Sequence, residues 1–290
     1  MLIYINGRLV KEQDARVSVF DHGLLYGDGV FEGIRAYGCL IFKCREHVDR
    51  LYASAHAIGL KVPLSKQALQ EAMVATLKAN ALTDGYIRVV VTRGVGDLGL
   101  DPRNCAKPTV FIIADKIRLY PQEMYKKGLE IVTVPTRRNI AEAINPQIKS
   151  LNYLNNILAK IEAIHAGVVE AVMLDQSGFV TECTGDNIFM VKGDALLTPP
   201  VSVGILSGIT RAAVLGVAAK AGLKAAQGML TRFDLFTADE VFLTGSAAEI
   251  VPVVKMDGRV IGSGKVGVCT LKLIREFHKL TKKDGVRYAV

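Results

Sequence analysis

The feature that most constrains this chain is a series of strand-forming runs that end in turn residues. Leu2–Ile5 leads directly into Asn6-Gly7, a dipeptide typical of tight hairpin turns. The runs over 30–37 and 40–44 flank Gly38 in the same way. This spacing predicts that the first third of the chain is rich in strands joined as hairpins.

The remaining patterns add helices and further strands to these hairpins. Apolar residues recur at helical spacing over 48–58, and Ser65 can cap a second helix that ends near Asn80. Further strands are predicted over 86–92, 109–114, 129–135, 171–175, from 180 onward and over 240–243, and further helices over 152–165, 210–221 and 266–280. Because the strands cluster and the helices are appended to them, the pattern predicts an α+β fold rather than strict βαβ alternation.

One stretch interrupts these patterns near the middle of the chain. Residues 115–125 are charged, contain Pro121 and have no clear period. We therefore predict a first domain over 1–117, an interdomain linker over 118–127 and a second domain over 128–290. With 290 residues, half of them hydrophobic, the chain is long enough to bury a core without disulfide bonds.

Composition and charge argue against several other classes of protein. The formal net charge is +8, but the basic residues are scattered and do not alternate with aromatic ones, so no nucleic-acid partner is expected. The five cysteines and five histidines show no ligand spacing, so no metal site is expected. No membrane span and no signal peptide is evident, which together with unpaired cysteines predicts a cytoplasmic protein.

Lys149 is the first residue that could carry chemistry. It lies in the segment Ile148–Tyr153, beside apolar residues and at the start of a predicted helix. Desolvation favours the neutral amine of a lysine, and a neutral amine can form an imine with an aldehyde. On the local sequence alone, an ordinary surface lysine is the more common interpretation.

Two turns could bind a phosphate group. The segment Gly208–Arg211 opens a predicted helix, whose free N–H groups and positive dipole end attract anions, and Thr210 adds a hydroxyl donor. The segment Thr244–Glu249 follows a strand, and its small residues let the backbone approach a ligand closely. A simple N-cap and an ordinary strand-end turn explain the same segments, so neither is specific alone.

Glu182 and Arg50 complete the set of candidates. A carboxylate such as Glu182, placed against a pyridine nitrogen, would keep that nitrogen protonated and make the ring an electron acceptor. Arg50 lies on the helix predicted over 48–58 and could reach a phosphate, although alone it would be interpreted as a surface arginine. The common dinucleotide, nucleotide, serine-hydrolase and zinc-protease motifs are absent from the sequence.

Taken in order, these segments resemble the class IV (fold type IV) pyridoxal-phosphate aminotransferases, and among them the branched-chain-amino-acid aminotransferases. The resemblance covers essentially the whole chain and rests on residues 26–37, 149–156 with 182–189, 208–211 and 245–249. Four matching segments in the family's order are far more specific than one. The resemblance implies a two-domain α+β fold, with a smaller N-terminal α/β domain and a larger C-terminal domain that has a β-barrel-like sheet.

The resemblance also implies a pyridoxal 5′-phosphate cofactor. Lys149 would hold it as a Schiff base and act as general acid and base, Glu182 would pair with the pyridine nitrogen, and Tyr153 would bind the phenolic oxygen. The implied cofactor-binding residues are Arg50, Lys149, Tyr153, Glu182, Asn187, Ile209 through its backbone N–H, Thr210, Gly245 and Ser246. Some relatives carry threonine at the position of Ser246, and serine retains the hydroxyl.

The implied substrate-binding residues are Tyr26, Phe31, Gly33, Arg35, Tyr86, Arg88 and Ala247. Phe31 would form an apolar wall, Gly33 would leave room for a branched side chain, and Arg88 would meet the distal carboxylate of glutamate or 2-oxoglutarate. Backbone N–H groups over 245–247 would bind the substrate α-carboxylate. The family further implies a homodimer, or a higher oligomer built from dimers, in which Tyr26 comes from the partner subunit.

The implied reaction is ping-pong transamination of Leu, Ile or Val with 2-oxoglutarate, which yields branched 2-oxo acids and L-glutamate. D-Amino acid transaminases of the same fold resemble the chain around Lys149, but usually carry a bulkier residue at Gly33 and another motif over 183–187. Aminodeoxychorismate lyase matches less well, because Arg35 and Arg88 suit amino-acid substrates. A basic nucleic-acid-binding protein leaves these segments unexplained, and an inactive scaffold would be expected to lose the lysine.

Overall fold

The structure, a computed structural model, describes residues 1–117 and 120–290. The chain forms two compact units. The first comprises Met1–Ile117, Ile148–Asn152 and Thr281–Val290, and the second comprises Arg118–Gln147 and Tyr153–Leu280. Each unit has its own sheet and its own apolar core.

The α-helices are α1 His22–Tyr26, α2 Cys44–Ala57, α3 Lys66–Ala79, α4 Gln122–Lys127, α5 Ala141–Ile144, α6 Leu154–His165, α7 Ile209–Val217, α8 Arg232–Phe236 and α9 Val268–Leu280. The strands are β1 Leu2–Ile5, β2 Arg8–Lys11, β3 Gly29–Ala36, β4 Leu40–Phe42, β5 Gly85–Thr92, β6 Thr109–Asp115, β7 Leu129–Thr133, β8 Glu170–Leu174, β9 Val180–Cys183, β10 Asn187–Lys192, β11 Ala195–Thr198, β12 Lys224–Gln227, β13 Glu240–Gly245, β14 Glu249–Met256, β15 Arg259–Val260 and β16 Gly285–Arg287. Helices and strands mix in both units, which confirms the α+β prediction.

The first unit is built on a seven-stranded antiparallel sheet in the order β16-β4-β3-β5-β6-β1-β2. Helices α2 and α3 bury apolar residues such as Leu51 and Met73 in one cluster with Ile34 of β3 and Ile87 of β5. Removing these side chains from water is the main favourable term that holds helices on a sheet. The paired strands β3 and β5 therefore lie in the interior of the sheet and contribute to the core of this unit.

Local sequence signals explain where several elements begin and end. Asn6 and Gly7 both have positive φ, 46° and 92°, as the predicted tight turn between β1 and β2 requires. The Ser65 side chain accepts a hydrogen bond from Ala68 N at 3.1 Å, so the predicted cap of α3 is confirmed. Gly222, with φ of 81°, ends the helical stretch that starts with α7.

The second unit contains a nine-stranded sheet in the order β12-β11-β10-β13-β14-β7-β8-β9, with β15 paired to β14. The pairs β11/β12, β14/β7 and β7/β8 are parallel, and the others are antiparallel. This sheet curls into a half-barrel, as the predicted β-barrel-like sheet requires. Its core includes apolar side chains from most of the strands, among them Val172, Ile188, Leu243 and Val251.

The two units differ from the predicted contiguous domains in two segments. Residues over 148–152 join the first unit, because Ser150 bridges Val30 of β3. The C-terminal segment also joins it, because β16 pairs with β4. The division into a first domain over 1–117, a linker over 118–127 and a second domain over 128–290 stays a prediction.

The segment predicted as the interdomain linker, 118–127, contains a helix. Helix α4 starts after Pro121, and its Lys126 and Lys127 lie in the last turn, where positive charge favours a helix. Six residues are too few to show a helical period, which is why the sequence did not reveal it. Arg118 and Leu119 lie outside the described residues. Over the described ranges, no helix combines the length and apolarity that crossing a membrane requires.

Candidate active site

Lys149 lies in a short extended segment that pairs with β3 in the first unit. Phe31 N–H donates to Lys149 O at 3.0 Å, and Leu151 N–H donates to Gly29 O at 2.9 Å. Lys149 N–H donates to Ser54 Oγ of α2 at 3.1 Å. The lysine backbone is thus fixed to a strand and a helix, and Lys149 Nζ lies 4.6 Å from the Phe31 ring centroid.

Phe31 and Tyr86 surround the guanidinium group of Arg88. Arg88 Cζ lies 4.6 Å from the Phe31 ring centroid and 5.6 Å from that of Tyr86. Arg88 also donates a hydrogen bond to Tyr86 Oη at 3.2 Å. A cation stacked on aromatic rings keeps its charge and its outward donors, so this group can meet an anion. The structure therefore brings together four predicted residues: Lys149, Phe31, Tyr86 and Arg88.

Gly33 of β3 packs against the side chain of Tyr86 on β5. A Cβ at this position would lie 1.9 Å from Tyr86 Oη, so the space beside the glycine is filled by the tyrosine.

Tyr26 donates its hydroxyl hydrogen to Leu98 O at 2.6 Å, and Arg35 stacks on Tyr37 with 5.0 Å between Cζ and the ring centroid.

Arg50 forms a buried ion pair that the sequence did not reveal. Its Nε and Nη2 donate to Glu32 Oε1 and Oε2 at 2.6 and 2.8 Å, and His47 Nδ1 lies 2.7 Å from Glu32 Oε2. Burial raises the pKa of Glu32, but the charges of Arg50 and His47 and their hydrogen bonds outweigh it and lower the pKa to about 2. The ion pair therefore fixes the orientation of the Arg50 guanidinium.

Glu182 is the centre of a buried polar group in the second unit. Its Oε1 accepts from Arg138 Nε at 2.9 Å, and its Oε2 accepts from Asn187 Nδ2 at 2.9 Å and from Leu206 N at 3.1 Å. Arg138 and Glu182 are both nearly excluded from solvent. Arg138 also donates to Asn156 of α6, at 3.3 Å. The carboxylate is therefore held on both oxygens, and its charge is balanced.

Asn187 also packs against the N-terminus of α7. Gly208 stands at the N-cap, and a Cβ there would lie 1.9 Å from Asn187 Oδ1. The glycine has no side chain to cap the helix, so the N–H groups of Ile209 and Thr210 at the first turn can serve a bound anion. Arg211 has a structural role instead, because it donates to Pro199 O and to Gln227 Oε1, each at 2.8 Å.

A second small-residue turn follows β13. A Cβ at Gly245 would lie 2.0 Å from Asp186 Oδ1, so this turn and the turn after β9 are in close contact. The buried hydroxyl of Thr244, near the end of β13 and just before Ser246 and Ala247, has no hydrogen-bond partner among residues 1–117 and 120–290. A buried hydroxyl without a partner is costly, and a ligand group could satisfy it. Tyr153, the remaining predicted residue, is the N-cap residue of α6.

Comparison with known proteins assigns the family. The sequence profile described as "Amino-transferase class IV" matches residues 29–256, so the chain belongs to the class IV aminotransferases. A Methanocaldococcus jannaschii protein, named provisionally as a branched-chain-amino-acid aminotransferase, is 54% identical over 287 residues and 99% of each chain. A Pseudomonas aeruginosa branched-chain-amino-acid aminotransferase is 39% identical, over 96% of this chain and 92% of its own.

Solved structures agree with this assignment. The branched-chain amino acid aminotransferase of Escherichia coli superposes with a TM-score of 0.93 at 36% identity, over 96% of this chain and 93% of that one. The T.th. branched-chain amino acid aminotransferase with pyridoxamine 5′-phosphate has the same TM-score and identity, over 97% of this chain and 94% of that one. The same T.th. enzyme has also been solved with N-(5′-phosphopyridoxyl)-L-glutamate and with 4-methylvaleric acid.

Proposed function

We propose that this chain is a pyridoxal-phosphate-dependent branched-chain-amino-acid aminotransferase (EC 2.6.1.42). It transfers the amino group of L-leucine, L-isoleucine or L-valine to 2-oxoglutarate and releases branched 2-oxo acids and L-glutamate. The observation that carries this proposal is the anchored Lys149, whose amine lies 4.6 Å from the Phe31 ring centroid in a class IV aminotransferase chain. The relatives described above are branched-chain enzymes, and nothing in them favours the D-amino acid alternative.

The residues present fit the cofactor. Lys149 supplies a primary amine on a fixed backbone, and Glu182 supplies a buried carboxylate whose charge is balanced by Arg138. Helix α7 has Gly208 at its N-cap, and glycine is common at helix N-termini that bind phosphate. The Thr244 hydroxyl offers a further hydrogen-bond donor. The complexes of the T.th. relative with phosphopyridoxyl compounds support the same cofactor for this chain.

The residues on the cofactor side have distinct tasks in this proposal. Bound pyridoxal phosphate supplies an aldehyde and an electron-accepting ring. Lys149 would hold the aldehyde as a Schiff base, and its amine, once free, would act as the general base and acid for the proton of the substrate α-carbon. Glu182 holds a proton on the pyridine nitrogen, and Tyr153 donates to the phenolic oxygen.

The remaining residues on the cofactor side bind the phosphate or support residues that contact the cofactor. Arg50, the Ile209 N–H group and the hydroxyls of Thr210 and Ser246 bind the phosphate, because these groups combine charge with hydrogen-bond donors. Gly245 lets the backbone of its turn approach the cofactor. Asn187 acts indirectly, since it holds Glu182 through its amide nitrogen.

The substrate side must accept an apolar side chain in one half-reaction and a carboxylate in the other. Phe31 and the Tyr86 ring supply the apolar wall, and Gly33 leaves room for a branched side chain. Arg88 meets the distal carboxylate of glutamate. The complexes of the T.th. relative with 4-methylvaleric acid and a glutamate adduct agree with this dual demand. Tyr26 and Arg35 complete the side-chain pocket, and the Ala247 N–H binds the α-carboxylate.

The chain works as a homodimer or as a higher oligomer built from dimers, in the cytoplasm. Large apolar side chains that are exposed on α6, such as Leu154, Leu158 and Ile161, support a contact with a second copy. Five free cysteines suit a reducing compartment. The assembly and the compartment are tested by the mass of the purified protein in solution and by fractionation of its source cells.

The spectrum of the purified protein tests the activity. We expect a yellow absorbance band that L-leucine bleaches and that 2-oxoglutarate restores, because the two half-reactions interconvert the cofactor forms. Bleaching by D-alanine but not by L-leucine would assign the chain to the D-amino acid transaminases. A Lys149→Ala variant should lack the band of the wild type, and an identical spectrum in both proteins would disprove the role of Lys149.

A further inference from the structure

A buried acidic cluster in the second unit has no part in the proposed reaction. It consists of Glu170 on β8, Asp186 in the turn after β9, and Tyr120, with exposed fractions of 2%, 5% and 7%. Tyr120 Oη lies 3.4 Å from Glu170 Oε2 and 3.4 Å from Asp186 Oδ2. One phenol thus stands between two carboxyl groups.

Glu170 is the carboxyl group of this cluster that is surrounded by donors. Its Oε1 accepts from Ala171 N at 2.8 Å, from Thr184 N at 3.0 Å and from Thr184 Oγ1 at 2.5 Å. Its Oε2 lies 3.3 Å from Lys160 Nζ. Hydrogen bonds to a carboxyl group and a nearby cation both favour its ionised form.

The surroundings of Asp186, in contrast, favour its protonated form. A phenol has a single proton, so Tyr120 cannot donate fully to two carboxylates at once. The arrangement is satisfied when Tyr120 donates to Glu170 and a protonated Asp186 donates to the phenol oxygen. Burial and the negative charge of Glu170 raise the pKa of Asp186 to about 7, against the opposing effects of Lys160 and Tyr120.

Asp186 also supports the turn that carries Ser246 and Ala247. A Cβ at Gly245 would lie 2.0 Å from Asp186 Oδ1, so this side chain packs on the glycine backbone. The proposed function assigns the cofactor phosphate and the substrate α-carboxylate to the same turn. A negative charge on Asp186 would therefore lie next to a site for anions and would weaken their binding.

We propose that Asp186 is held as a neutral carboxylic acid by Tyr120 and Glu170, and that in this form it positions the Gly245–Ala247 turn for anionic ligands. Asp186 is thus a positioning residue, and the inference rests on the proposed function for the identity of those ligands. Loss of its proton places a second negative charge in the cluster and beside the turn. Among the residues that the structure describes, the other titratable groups that face the cluster are Lys160, Glu182, Cys183 and Tyr125.

Infrared spectroscopy of the holoenzyme, with ¹³C-labelled aspartate, tests the protonation state. The wild type should show the carbonyl band of one buried protonated aspartate at about pH 6, and this band should fade by about pH 8, on either side of the pKa of about 7. The band should be absent from Asp186→Asn and unchanged in Asp194→Asn, a control at an exposed aspartate. The proposal is overturned if the wild type has no such band or if the band persists in Asp186→Asn.

Binding of 4-methylvaleric acid, which stays ionised over this range, tests the positioning role. We expect the dissociation constant of the wild type to rise roughly five-fold relative to that of Asp186→Asn between about pH 6 and about pH 8. A ratio that does not change with pH would overturn the positioning role. A holoenzyme that fails to bind leucine but keeps the infrared band would disprove the proposed function. The same result would still support the protonated state of Asp186.

Discussion

Glu32 is a carboxylate that the first unit keeps charged although it is fully buried. Its pKa of about 2 lies below the usual 4.5, so its ion pair with Arg50 contributes stability above about pH 4.5. That contribution is lost as the pH falls through about 2, since the protonated group no longer attracts Arg50 and His47. Arg50 thus owes its orientation to a group that stays ionised at every physiological pH.

The variant Glu32→Gln tests this linkage. We expect it to lower the free energy of unfolding by about 3 kcal/mol near neutral pH, because the pKa shift measures the preference of the fold for the charged form. The deficit should shrink as the pH falls from about 4.5 toward about 2. Urea denaturation of both proteins at a series of pH values measures it, and a deficit independent of pH would contradict the linkage.

Arg138 balances the buried charge of Glu182. We expect Arg138→Met to lower the free energy of unfolding by about 3–5 kcal/mol, because it leaves a buried carboxylate without its cation. The double variant Arg138→Met with Glu182→Gln should recover part of this loss, since no charge is then left unpaired. Urea denaturation of the apo proteins measures both values. A single variant as stable as the wild type would show that the ion pair has no such role.

These residue-scale partners could not be read from the sequence. Glu32 and Arg50 are 18 positions apart, and Arg138 and Glu182 are 44 apart. Pairs at such distances meet only through the register of strands and the packing of helices, which no local pattern encodes. The resemblance named Arg50 and Glu182, but it gave no reason to expect the charges that hold them.

At the scale of elements, the N-terminus of α7 depends on close packing between Gly208 and Asn187. A methyl group at position 208 would collide with Asn187 Oδ1, only 1.9 Å from the ideal Cβ. We expect Gly208→Ala to cost about 1–3 kcal/mol of stability, as overpacking does, and to weaken binding of pyridoxal phosphate. Calorimetry of the apoprotein, with cofactor titration, measures both effects.

Gly216→Ala, later in the same helix, is the matched control. Its Cβ would meet no atom within 4 Å, and alanine favours a helix interior over glycine by roughly 0.5–1 kcal/mol. This variant should therefore be as stable as the wild type or more so, with unchanged cofactor affinity. Equal losses in the two variants would show that packing against Asn187 is not the cause.

Elements with a local signal were predictable, and those that depend on partners were not. The Asn6-Gly7 turn and the Ser65 cap act within a few residues, so the sequence sufficed for β1, β2 and α3. Strand β16 forms only because β4 offers an edge, and its residues have no strand pattern of their own. The helix α4 in the predicted linker was missed because a helix of fewer than two turns shows no period.

At the scale of the whole molecule, the exposed apolar residues of α6 predict self-association. Leu154 and Leu158 are 67% and 47% exposed, and burying such groups against a second copy would remove them from water. We expect Leu158→Glu to reduce the mass of the particle in solution or to weaken its concentration dependence, because a buried charge is unfavourable. Light scattering measures the mass. His165→Glu adds a similar charge at the end of the helix and should have less effect.

The central claim is that Lys149 binds the cofactor, and chemical reduction tests it most directly. Borohydride should fix the phosphopyridoxyl group irreversibly on the lysine that carries it, and peptide mass spectrometry then locates the group. We predict the modification on the peptide that contains Lys149, and its loss in a Lys149→Gln variant. Modification of another lysine, or none in protein saturated with pyridoxal phosphate, would contradict the claim.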